Sequence, residues 1–141
     1  MRLSSVIGLA IILLLGTPLF ADEPVGTSMV QLLAHPDKYH GRMVRVTGYL
    51  HVKFEDNCLY LSKDDADHLN GKQGFWVSFA ESAQLQPKQD LAKFDCQFVL
   101  IEGVFDKDMH GHMGAAAGHL DKVSRVMIET RWYDGKKQLQ K

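Results

Sequence analysis

R-M-V-R-V-T-G-Y-L-H-V-K, residues 42–53, is the stretch whose reading decides the fold. Val44, Val46, Leu50 and Val52 alternate with polar or amphipathic residues. That period of two belongs to a strand with one buried face. Gly48 interrupts the alternation, and a glycine inside a strand marks a bulge or a sharp bend. A long strand bent at a glycine can turn the corner of a small barrel. The pattern occurs twice: Val44-x-Val46-x-Gly48-Tyr49-Leu50 is echoed by Val99-x-Ile101-x-Gly103-Val104-Phe105.

On the N-terminal side, Ser28 has the chemistry of an N-cap for a short helix over 29–34, with Met29, Leu32 and Leu33 on one face. Pro36 biases His35 out of the helical region and ends it. Residues 37–41 read as a turn, and Tyr39 suits a plug at the barrel end, apolar body inward and polar tip outward.

On the C-terminal side, a second strand is expected at 57–62, with Leu59 and Leu61 inward and Tyr60 outward. Residues 63–74 are polar and rich in turn formers, so they read as a loop. A third strand follows at 74–80, with Phe75, Val77 and Phe79 inward and Trp76 outward. Residues 81–94 have helical spacing in part, divided by Pro87. The fourth strand spans 97–105 and the fifth 119–130. Its core positions Val123 and Val126 slip out of period, which predicts a bulge. Trp132 and Tyr133 pack the last turn.

Three strands, a helical connection and two further strands define an all-β chain. The expected architecture is a five-stranded OB-like Greek-key barrel with a short N-terminal helix and a helical connection between strands 3 and 4. In that fold the second and third strands, with the loops joining strands 1–2 and 4–5, form the ligand face. An SH3-like barrel is the alternative, disfavoured by the helical connection.

Residues 1–21 carry Arg2, an apolar run over 6–15 and Ala21 before Asp22 and Glu23, the grammar of a secretory signal peptide. An uncleaved membrane anchor is the competing reading, but the run is short of the roughly 20 residues a spanning helix needs. The expected organisation is signal peptide 1–21, flexible lead-in 22–27, barrel domain 28–133 and polar tail 134–141. The expected address is periplasmic or secreted, with no stable membrane span after cleavage. The full chain has a formal charge of −1, and cleavage removes one cation, Arg2. A nearly neutral surface argues against a dedicated nucleic-acid binder, which needs a basic stripe to displace counterions.

Two cysteines, Cys58 and Cys96, fall in the exported part. An oxidising compartment permits a disulfide. It would close a loop of about 38 residues and stabilise by roughly 4 kcal/mol. Two separate thiols are the other reading, since spacing does not set geometry.

Two stretches carry chemistry. The first is the outer face of strands 1 to 3. If Val44, Val46, Leu50 and Val52 face inward, Tyr49 and His51 face outward and are joined by Tyr60 and Trp76. Outward aromatics on such a sheet are stacking platforms for bases or sugars. Ordinary cross-strand pairing, or cover by a helix, is the structural alternative. The second is the loop over 106–119, where Met109, His110, His112, Met113 and His119 lie within eleven residues. Imidazole suits zinc and copper, and thioether sulfur favours Cu(I). Asp106 and Asp108 read as turn residues. A glycine-rich loop whose histidines face water is the alternative.

Catalytic motifs are missing: no Gly-x-Ser-x-Gly, no phosphate-binding Gly-x-x-x-x-Gly-Lys, no Cys-x-x-Cys. Asp64, Asp65 and Asp67 lack the glycine and distal glutamate of a calcium loop.

Residues 28–50, a leucine-rich helix followed by Pro-x-x-Tyr-x-Gly-x-x-Val-x-Val-x-Gly, resemble the opening of small exported bacterial proteins with an OB-like fold. Leu100-Ile-Glu-Gly-Val-Phe105 and Gly111-His-Met-Gly114, with Gly118 further on, are similar to the same group. The resemblance covers about residues 28–128 and implies the fold and the exported setting. The expected function is a non-catalytic binding module for a small ligand, glycan or envelope protein. Copper or zinc binding by the 106–119 loop is the alternative, and nucleic-acid binding by analogy of fold a second one.

Overall fold

The Ser28 hydroxyl accepts a hydrogen bond from the Gln31 N–H at 3.2 Å, capping α1 (Met29–Ala34) as its residue type predicts. A computed structural model describes residues 23–54, 56–79 and 91–130. Met29 and Leu32 are buried along one face of α1. Pro36 then opens a second turn of helix, α2 (Pro36–Tyr39), where its missing N–H costs nothing, and Tyr39 is buried as expected.

The rest is mostly β. Strands β1 (Val25–Gly26), β2 (Met43–Lys53), β3 (Asp56–Tyr60), β4 (Gly74–Val77), β5 (Gln97–Asp106) and β6 (His119–Ile128) form one six-stranded sheet, joined by short helices. The strands expected along the chain are found, with ends shifted by a few residues. Three expectations need correction. Residues 37–41 are expected as a turn, but 37–39 belong to α2 and only 40–41 turn. Val25 and Gly26 lie inside the expected flexible lead-in, yet they pair in parallel with Val44 and Arg45. The stretch 63–74, expected as loop, carries α3 (Lys63–Asp67) and a 3-10 turn (Gly71–Gln73). The expected signal peptide, most of the 81–94 connection, Trp132, Tyr133 and the polar tail lie outside the described residues.

The repeated motif explains the longest ladder. β2 and β5 run antiparallel with Val44 opposite Gly103, Val46 opposite Ile101 and Gly48 opposite Val99. The motif is therefore paired with its own echo, each glycine facing the other copy's first valine. Gly48 is required by close approach. A Cβ there would meet Leu59 Cγ at 2.7 Å and the Tyr60 carbonyl oxygen at 2.8 Å. β2 also pairs with β3 through Tyr49–Tyr60 to Lys53–Asp56. The pairings that leave β2 through β3 and β4 continue to β6, in parallel, and return through β5. The expected slip near Val123 is present: the β5–β6 register shifts between Glu102 and Val104, opposite residues 121–125.

Val44, Val46, Leu50, Leu59, Phe75, Val77, Val99, Ile101, Phe105, Leu120 and Val123 form the main core under α1 and Tyr39. Buried apolar area of this kind is the dominant favourable term in folding. Phe75 and Phe105 meet edge to face at 5.2 Å.

Candidate functional site

The alternation that sends Val44, Val46 and Leu50 into the main core sends Tyr49 and His51 to the other face of β2. Across the ladder, Tyr49 is opposite Tyr60, His51 opposite Cys58, and Cys58 opposite Trp76. These residues leave the main core as expected, but Tyr49, His51 and Tyr60 do not reach water. Tyr49, Cys58 and Tyr60 form a second buried cluster with Ala66 of α3, and Phe98 packs on it. Tyr49 meets Phe98 edge to face at 5.2 Å, and His51 meets Tyr60 at 5.5 Å. Three of the four expected stacking residues are therefore covered; only Trp76 is half-buried. The cover comes from α3. The Ser62 hydroxyl accepts from the Asp65 N–H at 3.0 Å, and Ser62-x-x-Asp65 is the capping signal that announces this helix in the sequence.

Under this cover lies a polar network. Asp56 accepts from the Tyr60 hydroxyl at 3.0 Å and pairs with His51 Nδ1 at 3.2 Å. A carboxylate only accepts, so the His51 proton in that contact is on Nδ1. Cys58 stands directly across from His51. The residue types match a thiol nucleophile with a His–Asp pair, but the electrostatics do not. Burial, then the nearby Asp56 charge, pushes the Cys58 thiol up to about 12. An activated cysteine needs the opposite shift. Burial also pushes the Tyr60 phenol far above its ordinary range.

The expected disulfide is not formed. Cys58 is a buried free thiol and Cys96 an exposed one. Cys58 belongs to the covered cluster on β3. Cys96 sits just before β5, in a left-handed conformation with φ 56°, its N–H donating to the Leu50 carbonyl at 2.8 Å.

The β5–β6 loop spreads its expected metal ligands. His110 Nδ1 faces the Ala116 carbonyl at 3.1 Å, and the Ala116 N–H returns a bond to the His110 carbonyl at 3.1 Å. His112 and Met109 are exposed. His119 is drawn out of the loop into β6, buried, with Nε2 2.7 Å from Ser78 Oγ. Burial lowers the His119 pKa, with Asp121 and Asp106 opposing. Among the described residues, the one His/Cys/Asp/Glu group whose donor atoms lie within 4.8 Å of one another is a different one: His40, Asp106 and Asp108. The two aspartates lie at the edge of the expected loop. His40 comes from the turn before β2 and carries no periodic signal in the sequence.

Gly111 lies on the Trp76 indole, where a Cβ would come within 2.6 Å of the ring. The loop also touches the segment after α3: a Cβ on Gly71 would run into the Ala115 carbonyl oxygen. Each of these two touching loops exposes a large apolar side chain. Leu69 is 65% exposed with φ 51°, and Met113 is 89% exposed with φ 58°. At the tip between β2 and β3, Phe54 is also exposed.

Comparison with protein-family models, curated proteins and solved structures gives no match.

Proposed function

We propose that the chain is an exported, non-catalytic binding module of the OB-like barrel type, which recognises an envelope protein with its loops. The strand pairing supports the barrel part: an antiparallel circuit, closed by one parallel β4–β6 pair, leaves β2 and returns to it. The resemblance of residues 28–128 to small exported bacterial proteins, and the signal-like residues 1–21, support the address.

The observation that carries the reading is the pair Leu69 and Met113. A bulky residue at φ > 0 costs about 1–2 kcal/mol relative to the right-handed region. Two such residues occur on touching loops, and both expose an apolar side chain. Strain of this kind persists where the surroundings over-determine it, typically at binding sites. Methionine adapts its shape to apolar protein surfaces. A sugar or base would call for open aromatic rings, and Tyr49 and Tyr60 are covered.

The test is cross-linking capture from an envelope extract by wild type and by a Leu69→Asp/Met113→Asp double variant with an unchanged far-UV spectrum. A protein retained by wild type and lost by the variant supports the reading. Identical capture by both, or capture of glycan or small ligand alone, overturns it.

A further inference from the structure

We infer that Asn70 is a site of spontaneous deamidation, and that the carboxylate so formed unlocks α3 from the buried cluster it covers. The inference does not depend on the loop surface having a partner. The chain has two asparagines, Asn57 and Asn70, and only Asn70 is followed by glycine. The backbone nitrogen after an asparagine can attack the side-chain amide, and glycine hinders that approach least. Gly71 N bonds to Asn70 Cγ and the Cγ–Nδ2 bond breaks. The side-chain nitrogen leaves as ammonia, taking the proton of the Gly71 N–H. The cyclic imide then takes up one water at either carbonyl, giving aspartate or isoaspartate. Water is the one co-reactant.

The turn that holds Asn70 can open without the core. Asn70, at φ −76° and ψ 75°, is the centre of an inverse γ-turn in which the Gly71 N–H donates to the Leu69 carbonyl at 2.9 Å. Leu69 is exposed and strained at φ 51°, so opening relieves strain. Asn57, by contrast, is held in the β2–β3 ladder opposite Val52.

Asn70 is also the latch of α3. Its Nδ2 donates to Asp65 Oδ1 at 2.9 Å, and its backbone N–H donates to the Asp65 carbonyl at 2.8 Å. The other Asp65 oxygen accepts from the Ser62 hydroxyl at 2.5 Å, at the start of the helix. Deamidation replaces the Nδ2 donor with an oxygen that has only lone pairs, facing a second carboxylate. Asp64 and Asp67 already add negative charge to this short helix, partnered by His68 and Lys63. A new negative charge just past the helix C-terminus also opposes the helix dipole. Ala66 is the one buried residue of α3, and it rests on Tyr49, Cys58 and Tyr60. With the latch lost, that contact opens more often.

The full chain is aged in mildly alkaline buffer as wild type, Asn70→Gln and Asn70→Asp, and circular dichroism checks that each is folded. Peptide mass spectrometry is expected to show NH2 exchanged for OH at residue 70, with isoaspartate among the products, while Asn57 stays intact. Asn70→Gln, which would need a larger ring, does not convert. Labelling of Cys58 by a thiol reagent is the second readout, with exposed Cys96 as its internal standard. Aged wild type and Asn70→Asp are expected to label Cys58 at least about ten-fold faster than fresh wild type or aged Asn70→Gln, as loss of a hydrogen bond to a charged group implies. An intact Asn70, or conversion no faster than that of Asn57, overturns the site. Conversion that leaves Cys58 labelling unchanged, in aged wild type and in Asn70→Asp alike, overturns the unlocking.

Discussion

Gly111 is seated against Trp76 so closely that a methyl group on it would come within 2.6 Å of the indole Cγ and Cδ2. With φ +66°, the position is also one that L side chains rarely adopt. Gly111→Ala therefore lifts the β5–β6 loop or tilts the ring, at a cost of about 1–3 kcal/mol from overpacking. In a Trp132→Phe background, Trp76 emission shifts to the red as water reaches the ring. Emission and melting temperature equal to the parent would show that the contact is not what seats the loop.

Asp56 serves two buried partners at once, the Tyr60 hydroxyl and His51 Nδ1. Asp56→Ala leaves both without that partner and costs about 1–3 kcal/mol, whereas Asp56→Asn keeps an acceptor and costs less. Urea unfolding reads this as a lower midpoint with an unchanged slope. A denaturation midpoint for Asp56→Ala equal to wild type would remove the network from the account.

The two thiols differ in access. Under native conditions a thiol reagent labels Cys96, and unfolding releases Cys58 as the second equivalent. The sign of the pH effect follows from the raised pKa of Cys58. The folded state holds the neutral thiol more strongly than the unfolded chain does. Its contribution is full below the unfolded value of 9.0 and is lost as pH rises towards about 12. Cys58→Ala should flatten that part of the stability profile. An equally steep profile in the variant would assign the alkaline loss to other groups.

Gly48 lies where β2 crosses the Leu59 side chain and the Tyr60 carbonyl. Gly48→Ala pushes a carbon into backbone as well as side chain, so relaxation is limited and the cost is about 1–3 kcal/mol. Thermal unfolding checks it. A gain in stability from the more constrained unfolded chain would mean that the strands have room to separate.

Much of the fold is legible in the chain because alternation is a local property. Val44, Val46, Leu50, Leu59, Phe75 and Val77 declare their buried face within a few residues, and Ser28 and Pro36 declare where helices start and stop. The repeat around Gly48 and Gly103 can be read as two bent strands. Its antiparallel pairing with itself cannot, because register joins residues more than fifty positions apart. The second face was harder. Period-2 logic correctly removed Tyr49, His51 and Tyr60 from the main core. It carried no information about Ala66, which a five-residue helix with a single apolar side chain brings over them.

The site followed the same division. The residues from Asp106 to His119 stood out by composition, yet hydrogen bonding divided them: His119 went to Ser78, and His110 to its own loop. His40 joined Asp106 and Asp108 across 66 positions of chain. By itself the sequence determined which side chains enter the main core and where the strands run, since side-chain chemistry and a period of two act over neighbouring residues. Tertiary structure alone decided which outward faces are covered and which donors meet, since both depend on loops and helices that distant parts of the chain hold in place.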